Sequence, residues 1–96
     1  MDSAEITQEI LSQWIDEQRL LTLIDIREEE ERKKAHIGGE WIPLSQLWER
    51  LDEIPQHPVV LYCYSGGRSL VATYKLREIL LRDTIYSLAG GIRAHS

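Results

Sequence analysis

The sequence predicts an α/β domain in which a parallel sheet is covered by helices on both faces. Short apolar segments alternate along the chain with segments of helical periodicity, and the connections between them are short. This alternation is typical of parallel sheets, whose strands are buried on both faces. The 96 residues contain no internal repeat and no low-complexity linker. We therefore expect residues 1–96 to form a single domain around one core.

The N-terminal part of the chain predicts a helix, a strand and a second helix. In "ITQEILSQWIDEQR" the apolar residues recur at helical spacing, and Thr7 stands in the N-cap position. The apolar segment "LLTLIDI" predicts a buried strand that ends at Asp25, and the charged segment "REEEERKKA" predicts a short surface helix. One face of the first helix is expected to carry Ile10, Leu11, Trp14 and Ile15.

The C-terminal part predicts three further strands and two further helices. "GGEWIP" indicates a loop that enters a brief strand, "LSQLWERLDEI" has helical spacing, and "PQHP" indicates a turn. "VVLYC" predicts a buried strand, and "TIYSL" predicts a last strand that ends at "AGG". Between these two strands, "RSLVATYKLREILLRD" predicts a long helix. Its apolar face is expected to consist of Leu70, Tyr74, Leu76, Leu80 and Leu81.

Charge and cysteine content narrow the classes of function. Eleven basic residues against sixteen acidic residues give a formal charge of −5, which disfavours nucleic acid or an anionic membrane as the main partner. The acidic N-terminus lacks the apolar region of a secretory signal, and no apolar run approaches the length of a membrane span. With a single cysteine and no signal, the chain is expected to work in a reducing cytoplasm.

Cys63 stands at the carboxyl end of the strand that we expect to lie centrally, where parallel α/β sheets hold their sites. A lone cysteine in such a position is usually a small core residue. The residues that follow favour a functional role. Gly66 and Gly67 allow a tight loop whose N–H groups form an anion-binding nest. The start of the next helix and the guanidinium of Arg68 add positive charge at the same place.

These neighbours are expected to favour the thiolate form of Cys63. A free thiol with a pKa of about 8.5 is only about 3% ionised at pH 7. A favourable helix terminus contributes up to ~2 kcal/mol, which lowers a thiol pKa by about 1.5 units. Inward N–H groups and Arg68 act in the same direction, so the sequence predicts a competent nucleophile.

Three segments resemble the rhodanese (thiosulfate sulfurtransferase) family. "CYSGGRS" is similar to its active-site loop, which has Cys, two variable residues, Gly, one variable residue, Arg, then Ser or Thr. "DIREEEERKKAHIGGE" resembles an upstream segment of the family, and "YSLAGGI" resembles its closing segment, so the similarity runs over residues 20–93. The upstream matches are Asp25, Arg27, Glu28, Glu31, His36, Ile37 and Gly39.

The chain also departs from the family pattern at several positions. Arg32 and His95 stand where aromatic residues are common, and Ala35, Gly38 and Glu40 replace glycine, proline and alanine. "HIGGEWIPLSQLWERLDEIP" resembles the rhodanese domains attached to the adenylating enzymes of molybdopterin and thiamine biosynthesis. That likeness implies transfer of sulfur to the C-terminal glycine of a ubiquitin-like carrier. None of the departures falls in the loop.

The resemblance implies a three-layer rhodanese-like fold, with a central, mostly parallel five-stranded sheet and helices on both faces. It implies a sulfurtransferase in which Cys63 takes sulfane sulfur from thiosulfate or a persulfide donor. Cys63 then passes this sulfur to cyanide, a thiol or a sulfur-carrier protein. Arg68 is the second catalytic residue implied, and Tyr64, Ser65, Gly66, Gly67 and Ser69 form the substrate-binding and anion-binding loop. Structural support is expected from Asp25, Arg27 and His36, with His36 bridging to the Asp25 segment.

No cofactor or metal is expected, because the three histidines lack metal-ligand spacing with one another or with Cys63. Trp41 and Trp48 are expected to border either the site or a partner surface. Two alternatives stay open. A cysteine phosphatase has five residues between Cys and Arg, whereas "YSGG" supplies four, and this smaller ring favours sulfur over phosphate. A rhodanese-like module can also serve as a non-catalytic binding or regulatory domain, with the loop as its docking site.

Overall fold

Five parallel strands form one sheet in the computed structural model, which describes residues 4–95 except for the side chains of residues 94 and 95. The expectation for the His95 side chain therefore lies outside the described residues. The strands are β1 (Glu5–Ile6), β2 (Thr22–Asp25), β3 (Glu40–Trp41), β4 (Val59–Tyr62) and β5 (Ile85–Leu88). Their order is β1-β5-β4-β2-β3, and every neighbouring pair is parallel. The predicted five-stranded sheet is confirmed, with β4 at its centre.

Helices cover the sheet on both faces, as predicted. They are α1 (Gln8–Asp16), α2 (Glu29–Lys34), α3 (Leu44–Leu47) and α4 (Gly67–Leu80), with 3₁₀ turns at Leu51–Glu53 and Ile92–His95. Strand β4 separates two apolar clusters, because its alternate side chains point to opposite faces. Val59 and Leu61 pack with Leu47 of α3 and Leu76 of α4, whereas Val60 and Tyr62 pack on the side of α1.

Helix α1 begins where the sequence predicts. Thr7 is its N-cap, and the Thr7 hydroxyl oxygen accepts a hydrogen bond from the N–H of Ile10 at 3.2 Å. The predicted apolar face is only partly buried, since Leu11 is buried, Trp14 packs edge-on against Tyr86, and Ile10 and Ile15 are exposed. The helix therefore contacts the sheet along a narrower stripe than its apolar residues suggest.

The prediction of which residues form the apolar face of α4 is wrong at two positions. Tyr74 and Leu81 are exposed. The helix instead buries small side chains, Ser69, Ala72 and Thr73, together with Leu76, and these allow it to lie close to the sheet. Leu81 is not helical but forms the C-cap in the left-handed conformation, with φ +54°.

Two other differences concern short elements. Strand β1 was not predicted, because two residues are too few to show a period of two; it pairs with β5 at Ser87 and Leu88. The segment "LSQLWERLDEI" forms α3 and a 3₁₀ turn rather than one helix. Among the described residues, no helix has the length and apolar character to cross a membrane.

Candidate active site

Cys63 follows directly after the central strand β4, and a tight loop leads from it to Gly67, the first residue of α4. The side chain of Cys63 is fully buried. Its position at the carboxyl end of the middle strand agrees with the place where parallel α/β sheets hold their sites. The loop therefore lies over a cysteine that is fixed by the core beneath it.

Gly66 turns the loop so that backbone N–H groups point at the sulfur. The N–H of Gly66 donates to Cys63 Sγ at 3.2 Å, and the N–H of Ser69 donates to it at 3.4 Å. Gly66 has φ +103°, and a Cβ there would lie 3.1 Å from the backbone nitrogen of Gly90. The two loop glycines thus differ, because a Cβ at Gly67 would meet open space.

These contacts change the acidity of the thiol. Burial alone raises the pKa of Cys63. The hydroxyl of Ser69 and the backbone N–H groups of Ser69, Gly66 and Arg68 outweigh burial, so the pKa lies below its ordinary value. The arrangement therefore favours a preformed thiolate.

Two buried hydroxyl groups lie beneath the sulfur. The thiol of Cys63 is 3.5 Å from Ser69 Oγ, which lies 2.6 Å from Ser87 Oγ and donates to the carbonyl of Gly66 at 3.2 Å. When Cys63 is ionised, the Ser69 hydroxyl becomes the donor, and Ser87 can donate to Ser69 in turn. Sequence reasoning missed Ser87, although a polar residue inside the apolar strand "TIYSL" was a signal for it.

Arg68 reaches from the loop to α2. Its Nη1 and Nη2 atoms donate to Oε1 and Oε2 of Glu31 at 2.9 and 2.8 Å. This hydrogen bond lowers the pKa of Glu31 and raises that of Arg68, to which the Cys63 thiolate adds a smaller effect. The sequence singled out Glu31 only as a matching position, and its pairing with Arg68 spans 37 residues.

Asp25 forms a largely buried ion-pair network with Arg27 and Arg32, which connects the end of β2 to α2. Asp25 Oδ1 accepts hydrogen bonds from the backbone N–H and the Nε of Arg27, at 2.9 and 3.0 Å. Asp25 Oδ2 accepts from Arg27 Nη2 and Arg32 Nη1, both at 3.1 Å. Arg27 Nη2 also donates to the carbonyl of Ala35 at 2.6 Å. The network therefore ties the end of β2 to Arg32 of α2 and to its C-cap residue Ala35.

The comparison with known families agrees with this geometry. Residues 7–96 match the rhodanese-like domain. The chain belongs to this family. Its central parallel sheet and the cysteine loop at the carboxyl end of the middle strand are thus the framework of a rhodanese-like domain.

The chain is similar to parts of two longer curated relatives and of one longer solved structure. The chain is 36% identical over 88 residues to the putative sulfur carrier protein YrkF of Bacillus subtilis (strain 168), covering 90% of this chain and 48% of that protein. It is 39% identical over 93 residues to the probable adenylyltransferase/sulfurtransferase MoeZ of Mycobacterium tuberculosis, covering 93% of this chain and 24% of that protein. The chain thus spans less than half the length of either relative. Reduced Bacillus anthracis CoADR-RHD matches with a TM-score of 0.79 at 28% identity, over 93% of this chain and 16% of that one.

Two positions of this rhodanese-like domain differ from expectation. Arg32, where the family often has an aromatic residue, provides the second cation on Asp25 and lies 5.9 Å from the ring centroid of Trp41. His36 is exposed, and its Nδ1 accepts from the N–H of Gly38 at 3.0 Å. The expected bridge to the Asp25 segment is made by Arg27 through the Ala35 carbonyl, because His36 points away from the core.

Two open grooves flank the loop of the rhodanese-like domain. One, of about 580 Å³, is lined by residues that include Arg27, Glu31, Lys34 and Tyr64. The other, of about 440 Å³, is lined by Trp48, Arg68, Val71 and Lys75 among others. Tyr64 and Ser65 are exposed and carry no charge, so they form a neutral part of the loop surface beside Arg68.

The two tryptophans left open by the sequence have different surroundings. The Nε1 of Trp41 donates to the carbonyl of Arg27 at 2.8 Å and so joins the network around Asp25. Trp48 borders the second groove, where Lys75 Nζ lies 5.5 Å from its ring centroid. Among the side chains that the structure describes, no cluster of three His, Cys, Asp or Glu residues is arranged to hold a metal ion.

Proposed function

We propose that this rhodanese-like domain is a sulfurtransferase that carries sulfane sulfur as a persulfide on Cys63. The observation that carries the proposal is the sulfur of Cys63 itself, which is buried yet accepts two backbone N–H hydrogen bonds. A thiolate stabilised in this way is a nucleophile that needs no neighbouring base. The names of the relatives, a putative sulfur carrier protein and a probable adenylyltransferase/sulfurtransferase, support the same chemistry.

The first half-reaction loads the cysteine. The Cys63 thiolate attacks the outer sulfur of thiosulfate, a new S–S bond forms, and the old S–S bond breaks with its electron pair leaving on sulfite. With a persulfide donor, R–S–S–H, the same attack on the terminal sulfur releases the thiolate R–S⁻ and leaves the proton on the Cys63 persulfide. Neither route requires an added oxidant or reductant, because the sulfane sulfur passes from sulfite or a thiolate to the Cys63 thiolate with no change in its oxidation level.

The second half-reaction removes the transferred sulfur from Cys63. A nucleophile such as cyanide, a small thiol or a thiol group of a sulfur-carrier protein attacks the terminal sulfur, and the Cys63 thiolate leaves. The N–H groups that stabilise this thiolate also stabilise the leaving group, so they assist both half-reactions. Arg68 adds a cation beside the loop, and Tyr64, Ser65 and Gly67 form the rim that donor and acceptor contact. Asp25 and Arg27 hold α2 in place and are positioning residues.

Loading of Cys63 tests the proposal directly. The protein is incubated with thiosulfate or with glutathione persulfide, and its intact mass is measured before and after cyanide. We expect Cys63 to gain one sulfur atom and cyanide to remove it as thiocyanate, with no gain in Cys63→Ala or Cys63→Ser. If neither donor adds sulfur while p-nitrophenyl phosphate is hydrolysed, the proposed function is wrong and phosphatase chemistry replaces it. Absence of both reactions would leave only a binding module and would equally overturn the proposal.

A further inference from the structure

The carboxylate of Glu31 accepts the hydrogen bonds that Nη1 and Nη2 of Arg68 donate, and Arg68 is the cation beside the reactive cysteine. We propose that Glu31 is a specificity-determining residue, whose carboxylate competes with oxyanion-bearing donors for Arg68 and thereby favours persulfide donors that carry no oxyanion. The inference rests on the proposed function and deepens it, because it names the class of donor that the loop prefers.

The geometry of the pair is that of a bound oxyanion. Nη1 and Nη2 of Arg68 each face a different oxygen of Glu31, at 2.9 and 2.8 Å. This bidentate arrangement is how arginine binds planar carboxylates, and the same donors are those that an incoming sulfonate group needs. A donor such as thiosulfate must therefore displace Glu31 or approach without using this face of the guanidinium.

The position of the pair puts it in the path of a donor. Cys63 is fully buried, whereas the side chains of Arg68 and Glu31 are 41% and 35% exposed. Glu31 lines the groove on one side of the loop and Arg68 lines the groove on the other. A small anion in either groove therefore lies beside one partner of the ion pair.

The charge of Glu31 is not needed for its local structural role. Glu31 is the N3 residue of the capping box of α2, and its Oε1 accepts from the N–H of Glu28 at 3.3 Å. Glutamine is equally suited to the N3 position of a capping box. Glu31→Gln therefore removes the negative charge from Arg68 while the start of α2 keeps its hydrogen bond.

A persulfide donor avoids this competition. Neither sulfur of a persulfide group bears oxygen atoms, whereas the inner sulfur of thiosulfate bears three. A persulfide group therefore does not require the Nη1 and Nη2 donors of Arg68. The N–H groups of Gly66 and Ser69 remain aimed at sulfur whichever donor arrives. Tyr64 and Ser65, the exposed residues that follow Cys63, carry no charge, so Arg68 is the cation of the loop itself.

The test compares two alkylating reagents of nearly equal size, iodoacetate and iodoacetamide, on Cys63. The same thiolate attacks both reagents and displaces iodide, so the ratio of their rate constants reports preference for an anion and is independent of how much thiolate is present. We expect Glu31→Gln to raise the iodoacetate-to-iodoacetamide ratio on the order of fivefold at low salt. Glu31→Asp, whose shorter side chain loses the bidentate contact, is the second variant and should raise the ratio in the same direction.

Glu30→Gln is the matched control, because it removes the same charge from the preceding residue of α2, which is exposed. Its ratio should stay within about twofold of the wild-type value. In an Arg68→Gln background, Glu31→Gln should have no larger effect than Glu30→Gln, since the competition acts through Arg68.

If the iodoacetate-to-iodoacetamide ratio rose equally in Glu30→Gln and Glu31→Gln, the effect would belong to the general charge of α2, and the inference would be overturned. An equal acceleration of both reagents, with no change in their ratio, would make Glu31 a steric cover and also overturn it. Alkylation needs no sulfur donor, so these outcomes are separate from a failure of the proposed sulfur transfer.

Discussion

The sulfur of Cys63 combines full burial with contacts that stabilise its charged form. Desolvation of a thiolate is unfavourable, and an isolated buried cysteine would be an inert core residue. Here the N–H groups of Gly66 and Ser69 take the place of water at the sulfur. The backbone fixes both of these donors, so this part of the site is organised before a donor molecule arrives.

The hydroxyl of Ser69 is the strongest single contribution that lowers the pKa of Cys63. Ser69→Ala removes this donor and keeps the backbone N–H. A hydrogen bond to a charged group contributes about 1.5–3 kcal/mol. We expect the pKa of Cys63 to rise when this donor is lost, so the fraction of thiolate at neutral pH falls. The measurement is the pH dependence of iodoacetamide alkylation.

Ser65→Ala provides the control, because Ser65 lies on the same loop and is exposed. Its alkylation midpoint should coincide with that of the unaltered protein. An unshifted midpoint in Ser69→Ala, or equal shifts in both variants, would contradict the assigned role of the Ser69 hydroxyl.

At the residue scale, the sequence predicted the groups that are close together along the chain and missed those that the fold brings in. Cys63, Gly66 and Gly67 lie within one short loop, so the two glycines after the cysteine indicated a nest around the sulfur. Ser87 and Glu31 come from β5 and α2, and their contacts with Ser69 and Arg68 depend on tertiary packing. His36 was assigned by resemblance, and its exposed position lies outside what a pattern of residue types can predict.

At the scale of the elements, the 3₁₀ turn after β5 donates backbone hydrogen bonds to the start of the cysteine loop. The N–H of Ile92 donates to the carbonyl of Cys63, and the N–H of Arg93 donates to the carbonyl of Tyr64, both at 2.9 Å. Gly91 makes this approach possible, with φ +57° and the site of its missing Cβ only 2.3 Å from the Cys63 oxygen. The sequence predicted "AGG" only as the end of a strand, because a contact between distant backbones leaves no periodic signal.

Gly91→Ala should therefore disturb the loop and lower the stability of the domain. A side chain in the left-handed region costs about 1–3 kcal/mol, and the new Cβ would also overlap the carbonyls of Cys63 and Tyr64. We expect the free energy of unfolding in urea to fall by at least this amount, with tryptophan fluorescence as the probe. The pKa of Cys63, measured by alkylation, should rise in the fraction that remains folded, because the loop is displaced.

Gly67→Ala is the matched control for this prediction. Gly67 is the first residue of α4, and a Cβ there meets open space. Alanine in such a position is expected to stabilise the protein by about 0.4–1 kcal/mol by reducing the entropy of the unfolded chain. If Gly91→Ala proved as stable as Gly67→Ala, the close packing of the turn against the loop would not be a constraint on the fold.

The order and type of the long elements were predictable, whereas the face that α4 buries was not. Alternating strands and helices imply a parallel sheet whatever the details of packing. The inner face of α4 depends instead on how closely it approaches the sheet, and small residues such as Ala72 and Thr73 are buried where larger apolar ones were expected. Periodicity indicates which residues share a face and does not tell how deep that face lies.

At the scale of the whole molecule, the Asp25 network joins the sheet to the segment that carries Glu31. Asp25 is fully buried and neutralised by Arg27 and Arg32. It lies at the end of β2, next to the central strand, so its loss affects the sheet as well as α2. The sequence indicated a structural network at Asp25 and Arg27, and Arg32 joins it from a position where the family often has an aromatic residue.

Asp25→Ala should reduce the yield of folded protein before it reduces activity per folded molecule. It leaves the buried guanidinium of Arg27 without its carboxylate, and breaking a buried ion pair in this way costs about 3–5 kcal/mol. That is a large part of the 5–15 kcal/mol that stabilises a typical domain, so we expect a markedly lower midpoint in urea. Glu29→Ala, which removes an exposed pair with Lys33, should change the stability by less than about 0.5 kcal/mol. Sulfur loading is then measured per folded molecule. Normal stability and yield together with lost loading would place Asp25 in the chemistry of the site rather than in its support.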